Sequence, residues 1–385
     1  MKEKFYSIRH LIEQHPDAHY YVVYGERSNG KTYSTLDFCI DEYFKKGYQF
    51  AYVRRWKEDI KLSNLQKLFD GILRDHKIEK YSHGKWTGIL YKSRMFYFTR
   101  YETRVDDKGK KTNVKIVDDQ PFCYVYVLTD DEHDKGFESP MIYNILFDEF
   151  IARGSYIPDE FTRFMGVIST IKRRRTGIKV FMLGNTINRY SLYFNEMGLT
   201  NIKIQKPDTI DVYKYGDSGL KVVCEYAVME KRNKETDVYF AFKNPKLQMI
   251  TNGAWELAIY PHLTPDMKYK PKHIKYKYFI EFDGTTLECD VVLLPKSIED
   301  KRYHNMLFTF VHLKTSTIKE DNKNLVYSLS PNPKPNYRRN ILKPFSKLEK
   351  LISDMYYKDK VFYQSNDIGD VVRNYMLMCS SIHKY

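Results

Sequence analysis

Residues Gly25, Glu26, Arg27, Ser28, Asn29, Gly30, Lys31 and Thr32 spell G-x-x-x-x-G-K-T. That pattern works only where a strand enters the loop and a helix leaves it. Both flanks suit it: Tyr20 to Tyr24 is short, apolar and β-prone, and Lys31 to Phe44 carries a helical pattern. The loop amides and the helix N-terminus then form a nest of partial positive charge that fits a triphosphate. Lys31 is expected to reach the β and γ phosphates, and the Thr32 hydroxyl to hold Mg²⁺. Gly25, Arg27, Ser28, Asn29 and Gly30 complete the expected nucleotide contact.

A second stretch bears on the first. Met141 to Phe147 is a near-continuous apolar run closed by Asp148 and Glu149. Buried parallel strands read this way, and such sheets take ligands at the carboxyl ends of their strands. Asp148 is placed to coordinate Mg²⁺ through water, and Glu149 to polarise the attacking water. Taken alone, two adjacent carboxylates also suit a solvated loop; the pairing with the Gly25 loop favours hydrolysis over passive nucleotide sensing.

At 385 residues the chain has room for two or three domains. Its five cysteines form no close pair with each other or with histidines, which argues against a zinc module or disulfide scaffold and for a reducing compartment. No secretory leader is visible at Met1 to His10, and no apolar run approaches the roughly 18 residues of a membrane span. Lys and Arg total 63 against 49 Asp and Glu, a formal +14. That excess favours a polyanionic partner.

Strands alternate with helices through Asn185, implying a three-layer α/β domain over residues 1–197. Gln49 to Val53 is a second strand, whose trailing Arg54 and Arg55 are expected to serve the nucleotide site or to hold the strand end. Ser63 to His76 has the spacing of one amphipathic helix. A β-rich insertion is expected at about 77–137, a helix over Pro158 to Thr170, and another strand over Lys179 to Asn185. Short strands and turns suggest a linker subdomain at 198–234. A C-terminal α+β domain follows at 235–385, with strands at Val238 to Phe242, Tyr276 to Phe282, Leu287 to Leu294 and Met306 to Val311, and helices near Phe345 to Tyr357 and Asp367 to Ser380.

Four stretches in order, Val22 to Thr32, Gln49 to Lys57, Asn144 to Phe150 and Ser169 to Thr186, resemble the DNA-packaging ATPases of small tailed bacteriophages of the phi29 type. The resemblance covers roughly Tyr20 to Phe194. It implies a P-loop NTPase of the additional-strand, catalytic-glutamate type that works as a homopentameric ring. Such a ring sits on the portal of an empty prohead, in the cytoplasm of the bacterial host, and drives double-stranded DNA inward with ATP. A structural packaging RNA is a further possible partner. Residue by residue, Lys31 and Thr32 match the loop pair, Asp148 and Glu149 the metal and catalytic carboxylates, and Arg27 the arginine inside the loop. Arg173 falls at the arginine finger that acts on a neighbour's ATP, with Arg175 as its rival. Asn185 matches a polar sensor near the γ phosphate. The C-terminal part resembles an RNase H-like nuclease that has lost its carboxylates.

Several alternatives stay open. Lys172 to Arg175 suits either a subunit interface or a solvated face. Lys57, Lys61, Lys108, Lys110 and Lys111 are candidate DNA contacts, while Lys268, Lys270, Lys272, Lys275 and Lys277 suit a portal or RNA contact or plain solubilising charge. Glu281, Asp283, Glu288, Asp290, Asp367 and Asp370 leave room for a terminase-like active nuclease. A nucleotide-gated structural ring is the non-enzymatic alternative.

Overall fold

The computed structural model describes residues 5–26, 29–105, 110–130, 141–152, 156–186, 189–228, 260–296, 301–314 and 323–381. The chain divides into two compact units, one on residues 1–153 and 160–256, the other on 154–159 and 257–385.

The first unit is built on a ten-stranded sheet. In chain order its strands are β1 (Tyr20–Gly25), β2 (Gln49–Arg54), β3 (Gly88–Lys92), β4 (Met95–Val105), β5 (Lys111–Val117), β6 (Cys123–Val127), β7 (Ile142–Asp148), β8 (Lys179–Asn185), β9 (Thr209–Tyr215) and β10 (Leu220–Ala227). They lie in the order β3-β4-β6-β2-β7-β8-β1-β10-β9, with β5 on β4. The run from β6 to β10 is parallel throughout. Its central members are buried along nearly their whole length, which is why their sequences are apolar runs rather than alternating ones.

Around the sheet run α1 (Arg9–Gln14), α2 (Lys31–Lys46), three short helices α3 (Leu62–Leu65), α4 (Asp70–Arg74) and α5 (Lys77–Tyr81), then α6 (Glu160–Lys172) and α7 (Leu192–Glu196). Gly30 (φ +94°) and Gly47 (φ +70°) bracket α2 in left-handed backbone that favours glycine. Lys45 and Lys46 in its last turn complement the helix dipole.

The single helix expected over 63–76 is instead broken into α3 and α4, with α5 following. His76 adopts φ +52° between the last two, and Phe69, 1 % exposed, turns inward to meet Phe96 edge-on at 4.9 Å and Phe122 at 5.5 Å. Burying a phenylalanine contributes about 1.5–3 kcal/mol, more than helix propensity over a few residues can oppose. The insertion expected at 77–137 contributes its described strands to the ten-stranded sheet. Its β6 joins the parallel core beside β2, and Phe98 stacks on Phe122 at 4.0 Å within the main hydrophobic cluster.

The expected linker at 198–234 also gives way. β10 pairs in parallel with β1 from Tyr20↔Val222 to Gly25↔Ala227, and β9 closes that edge antiparallel. Local pattern gave no hint of this, because the pairing joins segments some 200 residues apart in sequence. The strand expected at Val238 to Phe242 lies outside the described residues.

The second unit carries a six-stranded sheet of β11 (Ile274–Phe282), β12 (Thr285–Leu293), β13 (Leu307–Leu313), β14 (Val326–Ser328), β15 (Tyr337–Arg338) and β16 (Val361–Tyr363), with α8 (Lys347–Tyr357) and α9 (Asn366–Ser381). β11, β12 and β13 form an antiparallel meander. β14 and then β15 continue in parallel from β11, and β16 pairs in parallel with β13. Helix α9 packs on β11 and β13. Among the described residues, no helix is long and apolar enough to cross a membrane.

Candidate functional site: a phosphate loop facing a carboxylate pair

β1 and β7 both end at the carboxyl edge of the parallel sheet, with β8 between them. At that edge lies a cavity of about 440 Å³ lined by Asn29, Gly30, Lys31, Thr32, Tyr33, Asp148, Glu149, Leu183, Gly184 and Asn185. The two motifs therefore meet. Thr32 Oγ1 donates to Asp148 Oδ1 at 3.1 Å, and Tyr52 OH donates to the other oxygen of Asp148 at 3.1 Å. Asp148 is buried, which pushes its carboxyl up, against the opposing charge of Arg54.

Lys31 is 6 % exposed. Its ammonium donates to the Glu26 carbonyl at 2.5 Å and to Asn29 Oδ1 at 3.1 Å. Burial lowers its pKa to about 8, only partly offset by Asp148, Glu26 and Glu225. Asn29 is itself 1 % exposed, and its amide nitrogen has no hydrogen-bond partner among the described residues. Arg27 and Ser28 lie outside the described residues.

Glu149 adopts φ +59°, the left-handed region, and its side chain is 57 % exposed. Two arginines at the end of β2 control this turn. Arg54 Nη2 donates to Glu149 Oε2 at 2.9 Å, while its other nitrogens face Asp148 at 3.7 Å and Asp59 at 3.4 Å. Arg55 donates to the carbonyls of Glu149 (3.1 Å) and Phe150 (2.7 Å), and its Nε donates to both oxygens of Glu160 at 2.9 Å. Glu160 is fully buried and also accepts from Tyr193 OH at 2.8 Å. This buried network fixes the backbone of the turn that carries Glu149.

Two glycines let the site close up. A Cβ on Gly25 would lie 1.9 Å from the Ala227 carbonyl oxygen on β10, and one on Gly184 would lie 2.8 Å from Ile151. Asn185 ends β8 beside Gly25 and lines the cavity.

Arg173 is not part of this cavity. It follows α6 with φ +45° and is exposed. Its near neighbour Arg175 donates to the carbonyls of Ile142 and Ile171 and stacks on Tyr143 at 5.5 Å. Ile142 opens β7 and Asp148 closes it, so this loop lies at the opposite sheet edge, a strand length or about 20 Å from the carboxylate pair.

Sequence reasoning missed the packing of the N-terminal segment against the phosphate loop. Tyr6 N donates to the Asn29 carbonyl at 3.1 Å, and Ile8 N to Ser34 Oγ on α2 at 2.8 Å. Tyr6 OH and His10 Nε2 meet Glu225 of β10 at 2.6 and 2.8 Å. The buried acid Glu225, set in the run Val222 to Ala227 that is otherwise without charge, was the one available signal.

In the second unit the six carboxylates do not converge. Glu288 and Asp290 on β12 and His312 on β13 bring ligand-type atoms within 4.8 Å of one another, while Glu281, Asp283, Asp367 and Asp370 join no such group among the described residues. Glu288 accepts from Lys277 (2.5 Å) and Lys314 (2.7 Å). Asp290 accepts from Tyr269 OH at 2.7 Å and lies 3.4 Å from Lys277 and 3.5 Å from His312.

Comparison with known proteins agrees with this architecture. Residues 1–215 match the family model described as podovirus DNA encapsidation protein (Gp16). The DNA packaging protein of Bacillus phage PZA is 24 % identical over 286 residues, spanning 66 % of this chain and 76 % of that one. The DNA packaging protein of Bacillus phage B103 is 25 % identical over 318 residues, spanning 73 % and 86 %. Among solved structures, the phi-28 gp11 DNA packaging motor aligns over 100 % of both chains with a TM-score of 0.54 at 20 % identity, which shows a shared fold.

Proposed function

The chain belongs to the podovirus DNA encapsidation protein family, and from that membership we propose that it is the ring motor that drives double-stranded viral DNA into a prohead with ATP. That it is an ATPase follows from its relatives among DNA packaging proteins. The observation that carries the reading is the contact of Thr32 with Asp148 at 3.1 Å across the cavity that Lys31 and Glu149 also line.

In this mechanism Lys31 exchanges its bonds to the Glu26 carbonyl and Asn29 for the β and γ phosphates, with Gly25 to Gly30, Arg27 and Ser28 wrapping the chain of phosphates. Thr32 and Asp148 already adjoin and present hard oxygen donors, so they fit Mg²⁺ and would hold it, and the ion would supply positive charge against the negative charge developing in the transition state. Glu149 orients the attacking water once it leaves Arg54, and Asn185 senses the γ phosphate. The placement of β8 between β1 and β7 supports the additional-strand, catalytic-glutamate class.

Arg173 completes hydrolysis in the neighbouring subunit of a homopentamer. Its exposure, its distance from its own subunit's cavity and the commitment of Arg175 to Ile142 and Ile171 support Arg173 as the finger. The ring works in the host cytoplasm against the portal of the prohead, where a structural RNA is a further candidate partner. The strand order β13-β12-β11-β14-β15 supports an RNase H-like second domain. Lys277 and Lys314 on Glu288 support its being inactive, since a two-metal nuclease needs free carboxylates.

ATP turnover of the purified chain with and without duplex DNA and proheads, alongside Asp148→Ala, tests the reading: DNA-independent turnover, or turnover surviving Asp148→Ala, would overturn it. The grouping of Glu288, Asp290 and His312 favours one second reading, a terminase-like nuclease, which requires plasmid cleavage in Mn²⁺.

A further inference from the structure

Strand β4 outruns the sheet that carries it. β3 pairs with it over residues 95–99 and β6 over Met95 and Phe96, but from Arg100 to Val105 its partner is β5 alone among the described residues. The result is a two-stranded ribbon projecting from the edge of the ATPase sheet, with two dissimilar faces because side chains alternate along a strand.

One face is half-buried from Arg100 to Glu102, with Val114 and Ile116 opposite, and holds the acid in a pair: Arg100 donates to Glu102 at 2.9 Å and lies 5.0 Å over the Trp86 ring, while Arg104 and Thr112 at its outer end are exposed. The other is exposed throughout. It pairs Tyr101 with Lys115, Thr103 with Asn113 and Val105 with Lys111. Thr103 Oγ1 donates to Asn113 Oδ1 at 2.9 Å, and Tyr101 is 66 % exposed. This face carries no carboxylate among its described residues. Lysines on a lone ribbon would by themselves deter edge pairing. That role does not require the acid to be segregated to the opposite face, nor a hydroxyl, an amide and a phenol to be set among the lysines. Those groups, with lysine, are the donors that proteins turn toward phosphate and sugar.

We propose that this face of the ribbon grips the phosphate backbone of duplex nucleic acid. Lys111 and Lys115 are four residues apart on one strand, about 13 Å. The major groove of B-DNA is about 12 Å wide and admits a two-stranded ribbon, so the two ammonium groups can meet phosphates on its opposite walls. Contact of this kind holds the duplex without reading its sequence, as a translocating motor requires. Of the DNA contacts expected at the ribbon, Lys111 is kept and Lys115 joins it; Lys108 lies outside the described residues. The inference rests on the packaging reading for its partner.

The test is the full chain and its Lys111→Gln/Lys115→Gln double variant, each titrated by fluorescence anisotropy against labelled DNA and RNA duplexes of about 30 base pairs over a salt series. Loss of two phosphate contacts should lower the slope of log K against log salt by about 2 on the duplex that the ribbon holds, with Glu102→Gln on the other face changing nothing. A loss on DNA names the genome as the ligand, and a loss on RNA alone names an RNA scaffold. Unchanged slopes on both duplexes, with the parent chain binding and the variant melting normally, would overturn the ribbon's role alone. Failure of the parent chain to bind either duplex would overturn the packaging reading with it.

Discussion

Arg54 and Glu149 share a 2.9 Å ion pair that turns the carboxylate toward β2 and away from free play in the cavity. The residue proposed to orient water is thus held by a cation that also faces Asp148. Arg54→Gln should release it. We expect prohead-free turnover to rise several-fold and the stimulation by DNA to shrink, while Glu149→Gln lowers kcat by about 10²–10⁴-fold with ATP still bound. A fall in both basal and stimulated rates in Arg54→Gln would show that the pair organises the site rather than restrains it.

The contact proposed between Lys31 and the phosphates ties ATP affinity to pH. Its ammonium loses its proton near pH 8, so binding should weaken as pH rises through 8 and be about thirtyfold poorer at pH 9.5 than at pH 7. Folding responds with the opposite sign. The unfolded chain keeps this proton to about pH 10.4, so the cost of burying the charge is complete below pH 8 and fades between about 8 and 10.4. Nucleotide titrations and denaturant midpoints at both pH values check the two directions together, with Lys31→Met as the control that should flatten both.

Breaking the network under the Glu149 turn should be expensive. Arg55 and Glu160 are 7 % and 0 % exposed at their side chains, and removing one member of such a pair typically costs about 3–5 kcal/mol. Glu160→Gln is expected to lower the urea midpoint accordingly. In whatever folded fraction remains, it should depress kcat more than it raises KM for ATP, because Arg55 also positions the Glu149 carbonyl.

Complementation tests the ring. Arg173→Ala should bind ATP yet fail to hydrolyse it, since an arginine supplied in trans contributes ~10³–10⁵ in rate. Mixing it with Glu149→Gln subunits should restore part of the turnover, each supplying what the other lacks. No recovery at any mixing ratio counts against a finger in trans, and Arg175→Ala should lose stability rather than chemistry alone.

The legible parts of the molecule are those written locally. The loop from Gly25 to Thr32 announces itself because only small residues fit where Gly25 meets the Ala227 carbonyl and where Gly30 turns left-handed. The β7 run followed by Asp148 and Glu149 was readable because a doubly buried parallel strand has no polar face. Arg54 and Arg55 were expected at the site or at the strand end, and the two residues divide those tasks between them. The rest depends on long-range pairing. Nothing near Leu220–Ala227 says that its neighbour is Tyr20–Gly25, and Glu225 finds Tyr6 and His10 from the far end of the unit. The break-up of 63–76 likewise follows from the space among Phe50, Phe96 and Phe122 that Phe69 fills.

The family match stops at Tyr215, the last residue of β9, one strand short of β10. A fragment cut at that boundary would strip the nucleotide strand of its outer neighbour and bare six backbone positions from Tyr20 to Gly25. Such an open margin invites self-association. An isolated motor half should therefore be carried through at least Ala227, or precipitation of the shortened protein will be mistaken for an inability of this half to fold alone.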